Sequence, residues 1–183
     1  MTMRRTSEGL TYLELVIVLT VLCIFLGAAS ISISQLIAKT RLESAAQTIY
    51  SDLRFAQSES LNHNKTIFVS FIHENEKWCY GFSENKSCDC TKANECKIGD
   101  NEKVVTHETF KGVEIQKSRF AGNKNYTAFS PRNGFAVANG AKNGTIWLKK
   151  DDMQIAVIVN RLGRVRFCSP TLTEYSQQCP KAP

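Results

Sequence analysis

The chain has 183 residues, 43% of them hydrophobic, with 23 Lys and Arg against 17 Asp and Glu and a formal net charge of +6. Beyond an apolar N-terminal run, roughly 150 residues remain, enough for one small domain with its own core and too few for several. The absence of an internal repeat or long low-complexity tract excludes a repeat architecture.

The first informative stretch is Gly9-Leu10-Thr11-Tyr12-Leu13-Glu14, which opens the apolar run ending at Ile33. The run holds one acid, Glu14, and no Lys or Arg occurs until Lys39. About 20 apolar residues suffice to cross a bilayer as a helix. A carboxylate in such a segment costs roughly 2.5–3.5 kcal/mol, so Glu14 needs a partner or a task. Three readings fit. In a plain anchor, Glu14 sits near the headgroups. In a cleaved secretory signal, Arg4 and Arg5 form the charged start and Gly27-Ala28-Ala29 the cut site, but Glu14 then falls inside the apolar core of the signal. In the third, a short basic leader is removed after Gly9 and the apolar run is retained. The positive charges flanking the run, Arg4 and Arg5 before it and Lys39 and Arg41 after it, are too balanced to set its orientation.

Past the apolar run the helix pattern continues. Ile37, Ala38, Leu42, Ala45, Ala46, Ile49, Leu53 and Ala56 recur at three- and four-residue spacing, an apolar stripe meant to pack on other elements. No Pro or Gly interrupts it before Asn62-His63-Asn64, which stops the helix. From 10 to about 61 it is ~75–80 Å long. Strands are predicted at 66–72, 77–82, 103–109, 113–120, 145–149, 154–159 and 164–167, from β-branched and aromatic runs between turn signals such as Asn143-Gly144 and Leu162-Gly163. One long helix followed by many short strands reads as α+β, a helix laid on a mostly antiparallel sheet.

Of the seven cysteines, Cys23 lies in the apolar helix and behaves as a small hydrophobe. Cys79, Cys88, Cys90, Cys96, Cys168 and Cys179 form an even set suited to an oxidising compartment. Cys168–Cys179 is a local pair that contributes roughly 3 kcal/mol by loop closure. Cys88 and Cys90 are too close to bridge each other. The other four pair either as Cys79–Cys88 with Cys90–Cys96, or as Cys79–Cys90 with Cys88–Cys96. A zinc site is the alternative, but structural zinc uses Cys-x2–4-Cys knuckles, not Cys-x-Cys with single cysteines on either side. The expectation is disulfides and no metal.

Charge is placed unevenly. Residues 104–167 hold eleven Lys and Arg against four acids, whereas 84–103 hold four against five. The basic excess points to a polyanion, an acidic surface or anionic lipid. Its centre is Arg161-Leu162-Gly163-Arg164-Val165-Arg166-Phe167-Cys168. On a strand, Val165 and Phe167 face one side and Arg164 and Arg166 the other, roughly 6.5–7 Å apart. That suits successive phosphates, and the guanidinium fork suits their oxygens. A solvated edge strand protected by its charges is the competing reading. Gly163 permits a tight turn before the strand. Arg161, Lys142, Lys149 and Lys150 are auxiliary candidates. His63, His73 and His107 are scattered, and no nucleophile or Gly-rich phosphate loop is recognisable, so neither an enzyme nor a cofactor is expected.

The segment from Gly9 to Val16 resembles the class III signal of type IV pilins and type II secretion pseudopilins, with Leu10 for the common phenylalanine and Tyr12 for the common leucine. This resemblance implies cleavage after Gly9 by a prepilin peptidase and N-methylation of Leu10. It also implies that Glu14 docks on the N-terminal ammonium of a neighbouring subunit, compensating a carboxylate that is costly when unpaired. Phe129-Ser130-Pro131-Arg132-Asn133-Gly134, Gly144-Thr145-Ile146-Trp147-Leu148, Gly163-Arg164-Val165-Arg166 and the helix segment 41–64 are similar to the FimT/GspH family of minor pilins and pseudopilins. In its DNA-uptake branch a Gly-Arg-x-Arg signature is associated with DNA binding. It falls here on Gly163, Arg164 and Arg166. The resemblance implies a leader at 1–9, a transmembrane or filament-core helix at 10–36 and an extracytoplasmic pilin-like domain at 37–183. The implied location is the bacterial inner membrane and then a pilus, with other pilin subunits and double-stranded DNA as partners. The alternative is a structural or priming minor pilin, or a GspH-like type II secretion pseudopilin, that binds no DNA. The cysteine-rich insert at 79–96 is not a core family feature.

Overall fold

The computed structural model describes residues 11–74, 77–84, 86–136, 143–175 and 179–180, the side chains of 26–32 excepted. The chain forms two compact units, 1–37 and 38–183. Helix α1 runs Tyr12–Asn62. In the first unit Thr11 caps it. The Thr11 hydroxyl accepts from the Glu14 amide at 3.3 Å, and the Thr11 carbonyl accepts from Leu15 N–H at 3.1 Å. Thr11-x-x-Glu14 is therefore a helix-start signature in its own right. The described side chains from Tyr12 to Phe25 are all exposed. Among the described residues no helix is long and apolar enough to cross a membrane. Leu10 and the side chains of 26–32, which complete the apolar run expected to form the anchor at 10–36, lie outside the described residues.

The second unit is α+β. Among the described residues ten strands follow the helix: β1 Ile67–Glu74, β2 Lys77–Glu84, β3 Lys97–Ile98, β4 Asn101–Glu102, β5 Val104–Thr106, β6 Glu114–Phe120, β7 Tyr126–Phe129, β8 Gly144–Lys150, β9 Met153–Val159 and β10 Val165–Cys168. Every pairing is antiparallel. The strands divide into two four-stranded sheets, ordered β5-β2-β1-β7 and β10-β9-β8-β6, and a ribbon β3-β4. The apolar stripe of α1 packs on both. Leu42, Ala45, Ala46, Ile49, Leu53 and Ala56 share one core with Val69, Phe71, Tyr80 and Phe82 of the first sheet and Ile146, Leu148, Val157 and Val165 of the second. Alanines at three of these positions let the sheets approach the helix. Fully buried Leu42, Ile49 and Leu53 each contribute roughly 1.5–3 kcal/mol. Ile37 departs from the stripe and is exposed.

Most predicted strands agree within one or two residues. Strand β7 was not predicted, because Tyr126-Thr127-Ala128-Phe129 is a four-residue run between turns. The segment 107–109 expected to extend β5 is a 3-10 turn, His107–Thr109. The ribbon β3-β4, just after the cysteine-rich insert, was not predicted either. Arg164 falls one residue before β10.

The disulfides are Cys79–Cys90, Cys88–Cys96 and Cys168–Cys179, which selects one of the two pairings open for the insert. Among the described residues no cluster of His, Cys, Asp or Glu could hold a metal. The sulfur of Cys96 packs on Gly81 of β2, where any Cβ would collide with it. Next to the insert, Asp52 of α1 accepts from Tyr80 Oη at 2.7 Å and lies 3.3 Å from Lys103 Nζ. That ammonium sits 3.6 Å from the centroid of the Phe55 ring. Burial, and then the Asp52 carboxylate, push the Tyr80 phenol far above its ordinary range, so it stays a donor.

Candidate nucleic-acid interface

The basic turn is built where three segments converge. Between β9 and β10 the chain reverses at 160–164. Gly163 N–H donates to the Asn160 carbonyl at 3.0 Å, Asn160 N–H to the Arg164 carbonyl at 3.0 Å, and Arg164 N–H to Asn160 Oδ1 at 2.9 Å. Gly163 has φ +78° and is buried. A Cβ on it would overlap the Gly134 carbonyl oxygen and the Gln57 amide. Gln57 Nε2 from α1 donates to that same carbonyl at 2.8 Å, and Ala136 N–H donates to the Arg161 carbonyl at 3.1 Å. The three stretches singled out in the sequence therefore lock together: the helix around Gln57, the loop 129–134, and the turn before Arg164. Glycine is required at 163 for this packing. Being buried, it presents nothing to a ligand, and its part is to place Arg164.

Val165 is buried in the core and Phe167 packs against it, 5.0 Å from the Tyr50 ring of α1. The opposite face is outward. Arg164 is exposed and Arg166 half-buried. Both line a shallow groove with Tyr50, Glu174 and Tyr175. Glu174 is the acid nearest in this groove, and it accepts from Lys39 Nζ at 2.7 Å, so its charge is already partnered. The buried Ser169, whose hydroxyl accepts from Leu172 N–H at 2.9 Å, fixes the turn after β10, and a disulfide joins Cys168 to Cys179.

Register extends the face across the sheet. Arg166 pairs with Ile158, Ile158 with Thr145, and Thr145 with Arg119. Directly paired residues point to the same side, so Arg166 and Arg119 stand on one face at opposite edges. In the next row Cys168, Ala156, Trp147 and Lys117 are paired. Trp147 and Ala156 pack there with Cys168 and Cys179. Lys149 is on this face too, paired with Gln154 and Glu114. Glu114 is the only acid in these four strands.

The predicted auxiliaries thus separate. Arg161 is exposed at the turn. Lys149 lies on the outward face. Lys150 points elsewhere and donates to the Gly112 carbonyl at 3.3 Å. Lys142, Gly9 and Leu10 lie outside the described residues, and Glu14 is exposed in the first unit. Sequence reasoning missed Lys117 and Arg119. Their alternation in 114–120 was visible, but not which residues lay across from them.

A family model described as "Type II transport protein GspH" matches residues 45–163. The match ends at Gly163, so the arginines at 164 and 166 lie just beyond it. No curated protein matches the chain. Among solved structures, two crystal forms of the type IV minor pilin FimU of Pseudomonas aeruginosa (strain PAO1) are similar. One is 16% identical with TM-score 0.48, covering 73% of this chain and 95% of that one; the other is 15% identical with TM-score 0.47, covering 71% and 98%. The family match spans well over half of the sequence, and this protein belongs to the GspH family of pilin-like subunits of type IV pili and type II secretion systems.

Proposed function

We propose that the chain is a minor pilin of the FimT-like, DNA-uptake branch of this family, and that it binds double-stranded DNA through phosphates during natural transformation. The observation that carries this reading is the outward face of the β10-β9-β8-β6 sheet, with Arg164 and Arg166 at one edge and a single acid, Glu114, in its four strands. Arginine forks on a rigid sheet edge match phosphate oxygens and read no base. Binding is therefore salt-dependent and nearly sequence-blind.

In the same reading, a prepilin peptidase cleaves after Gly9 and Leu10 becomes a methylated N-terminus. Residues 10–36 anchor the subunit in the inner membrane and later join the filament core, with Glu14 facing a neighbouring subunit's ammonium. The domain from about residue 37 lies outside the cytoplasm, where its three disulfides form and persist.

A second reading is a pseudopilin or priming subunit that contacts only other subunits. It is favoured by the description of the matching family and by a matched span that stops before the arginines. A mobility-shift titration separates the two. The DNA-binding reading expects retardation of two unrelated duplexes with equal affinity at low salt. No retardation at any concentration would leave the second reading.

A further inference from the structure

We infer that Lys117 and Arg119 form a second phosphate-binding site, so that DNA lies across the strands of the C-terminal sheet and not only along its β10 edge. This rests on the DNA-binding reading above. The site is a groove on the outward face. Thr145 and Trp147 of β8 line it together with Asn123 and Pro180, and Lys117 and Arg119 of β6 supply its charge.

Four observations point to phosphate. Arg119 is exposed and Lys117 half-buried, and among the described residues neither has an ion-pair partner. No acid is among the described residues that line the groove. Glu114 begins β6, at the opposite end from Arg119, and is paired across to Lys149. Finally, the row Arg166–Ile158–Thr145–Arg119 puts positive charge at both ends and neutral side chains between.

Three strand-to-strand steps separate Arg166 from Arg119, about 14 Å at ~4.8 Å per step. Duplex DNA carries one charge per ~1.7 Å of axis, so that width spans on the order of eight phosphates over both strands, part of them facing the sheet. A single backbone running along β10 would leave the β6 cations without a counter-charge. A duplex laid across the row engages both edges. Trp147 is only 4% exposed, too little to offer a base-stacking platform, and contact stays with the backbone.

The test uses the full chain purified in a neutral detergent and a fluorescent duplex titrated over a range of salt. Wild type, R164Q/R166Q, K117Q/R119Q and the fourfold variant are compared, with thermal melts as a check on folding. R119Q alone serves if K117Q/R119Q melts early. Each pair is expected to lower the log–log salt slope by about 1.8, and the fourfold variant by about 3.6. A slope lowered by K117Q/R119Q alone supports the β6 site and removes the arginine turn. A slope lowered by R164Q/R166Q but unmoved by K117Q/R119Q overturns the β6 site and leaves the first reading standing. A wild type that binds no duplex overturns both.

Discussion

Gly163 sits at φ +78° against the Gly134 carbonyl and Gln57, so G163A carries two costs. A left-handed non-glycine residue costs about 1–3 kcal/mol, and the Gly134–Gln57 contact must also give way. We expect G163A to lower the melting temperature and to weaken DNA binding, because Arg164 loses its fixed position. A mutant with unchanged melting would show that the turn is not packed as described. Tyr80 makes a second residue-scale prediction. Its hydroxyl donates to Asp52, whose side chain is 15% exposed. Y80F removes a hydrogen bond to a charged group, so denaturant unfolding should show a loss of about 1.5–3 kcal/mol. The raised phenol pKa also has a sign. This stability is fully present below the unfolded tyrosine value of about 10 and is lost as pH rises above it. The wild-type advantage over Y80F should therefore shrink in strong alkali. At this scale the sequence was partly legible. Arg164 and Arg166 announced themselves by alternation. Asp52 did not, because a lone acid on a helix reads as solvated until its partners Tyr80 and Lys103, 28 and 51 positions along the chain, are known to lie beside it.

At the scale of elements, the segment after β10 is held by the Cys168–Cys179 bridge and by Ser169. Cys168 and Cys179 cover Trp147 and Ala156 on the outward face. Replacing both cysteines by serine should cost about 2–5 kcal/mol in unfolding experiments and release that cover. Protease should then cut the C-terminal segment before the rest of the domain. Unaltered resistance would mean that hydrogen bonds alone fix it. The helix stripe and most strands were readable because burial imposes 3.6- and 2-residue periods on them. Strand β7 was not, since four residues between turns show no period. Nor was the division into two sheets. Strand pairing is a relation between distant segments, and the local pattern records only which face of each strand is apolar. The same limit hid Lys117 and Arg119, which join the Arg166 row only through two intervening strands.

At the scale of the whole molecule, processing decides whether the chain is a filament subunit at all. Mass spectrometry of protein recovered from membranes should find an N-terminus at Leu10 carrying one methyl group. A mature start near Ser30 would mean that the apolar run is a discarded signal, and the filament reading would fall with it. The α+β class and the family follow from features spread along the chain, which is why both could be read early. Function depends on a small patch, and there the decisive quantity is how many phosphates the protein neutralises. The most direct measurement is therefore the salt dependence of duplex binding by wild type beside R164Q/R166Q. The account predicts that the double variant binds more weakly and that its log–log slope is shallower by about 1.8. An identical slope and affinity in the two proteins would contradict it.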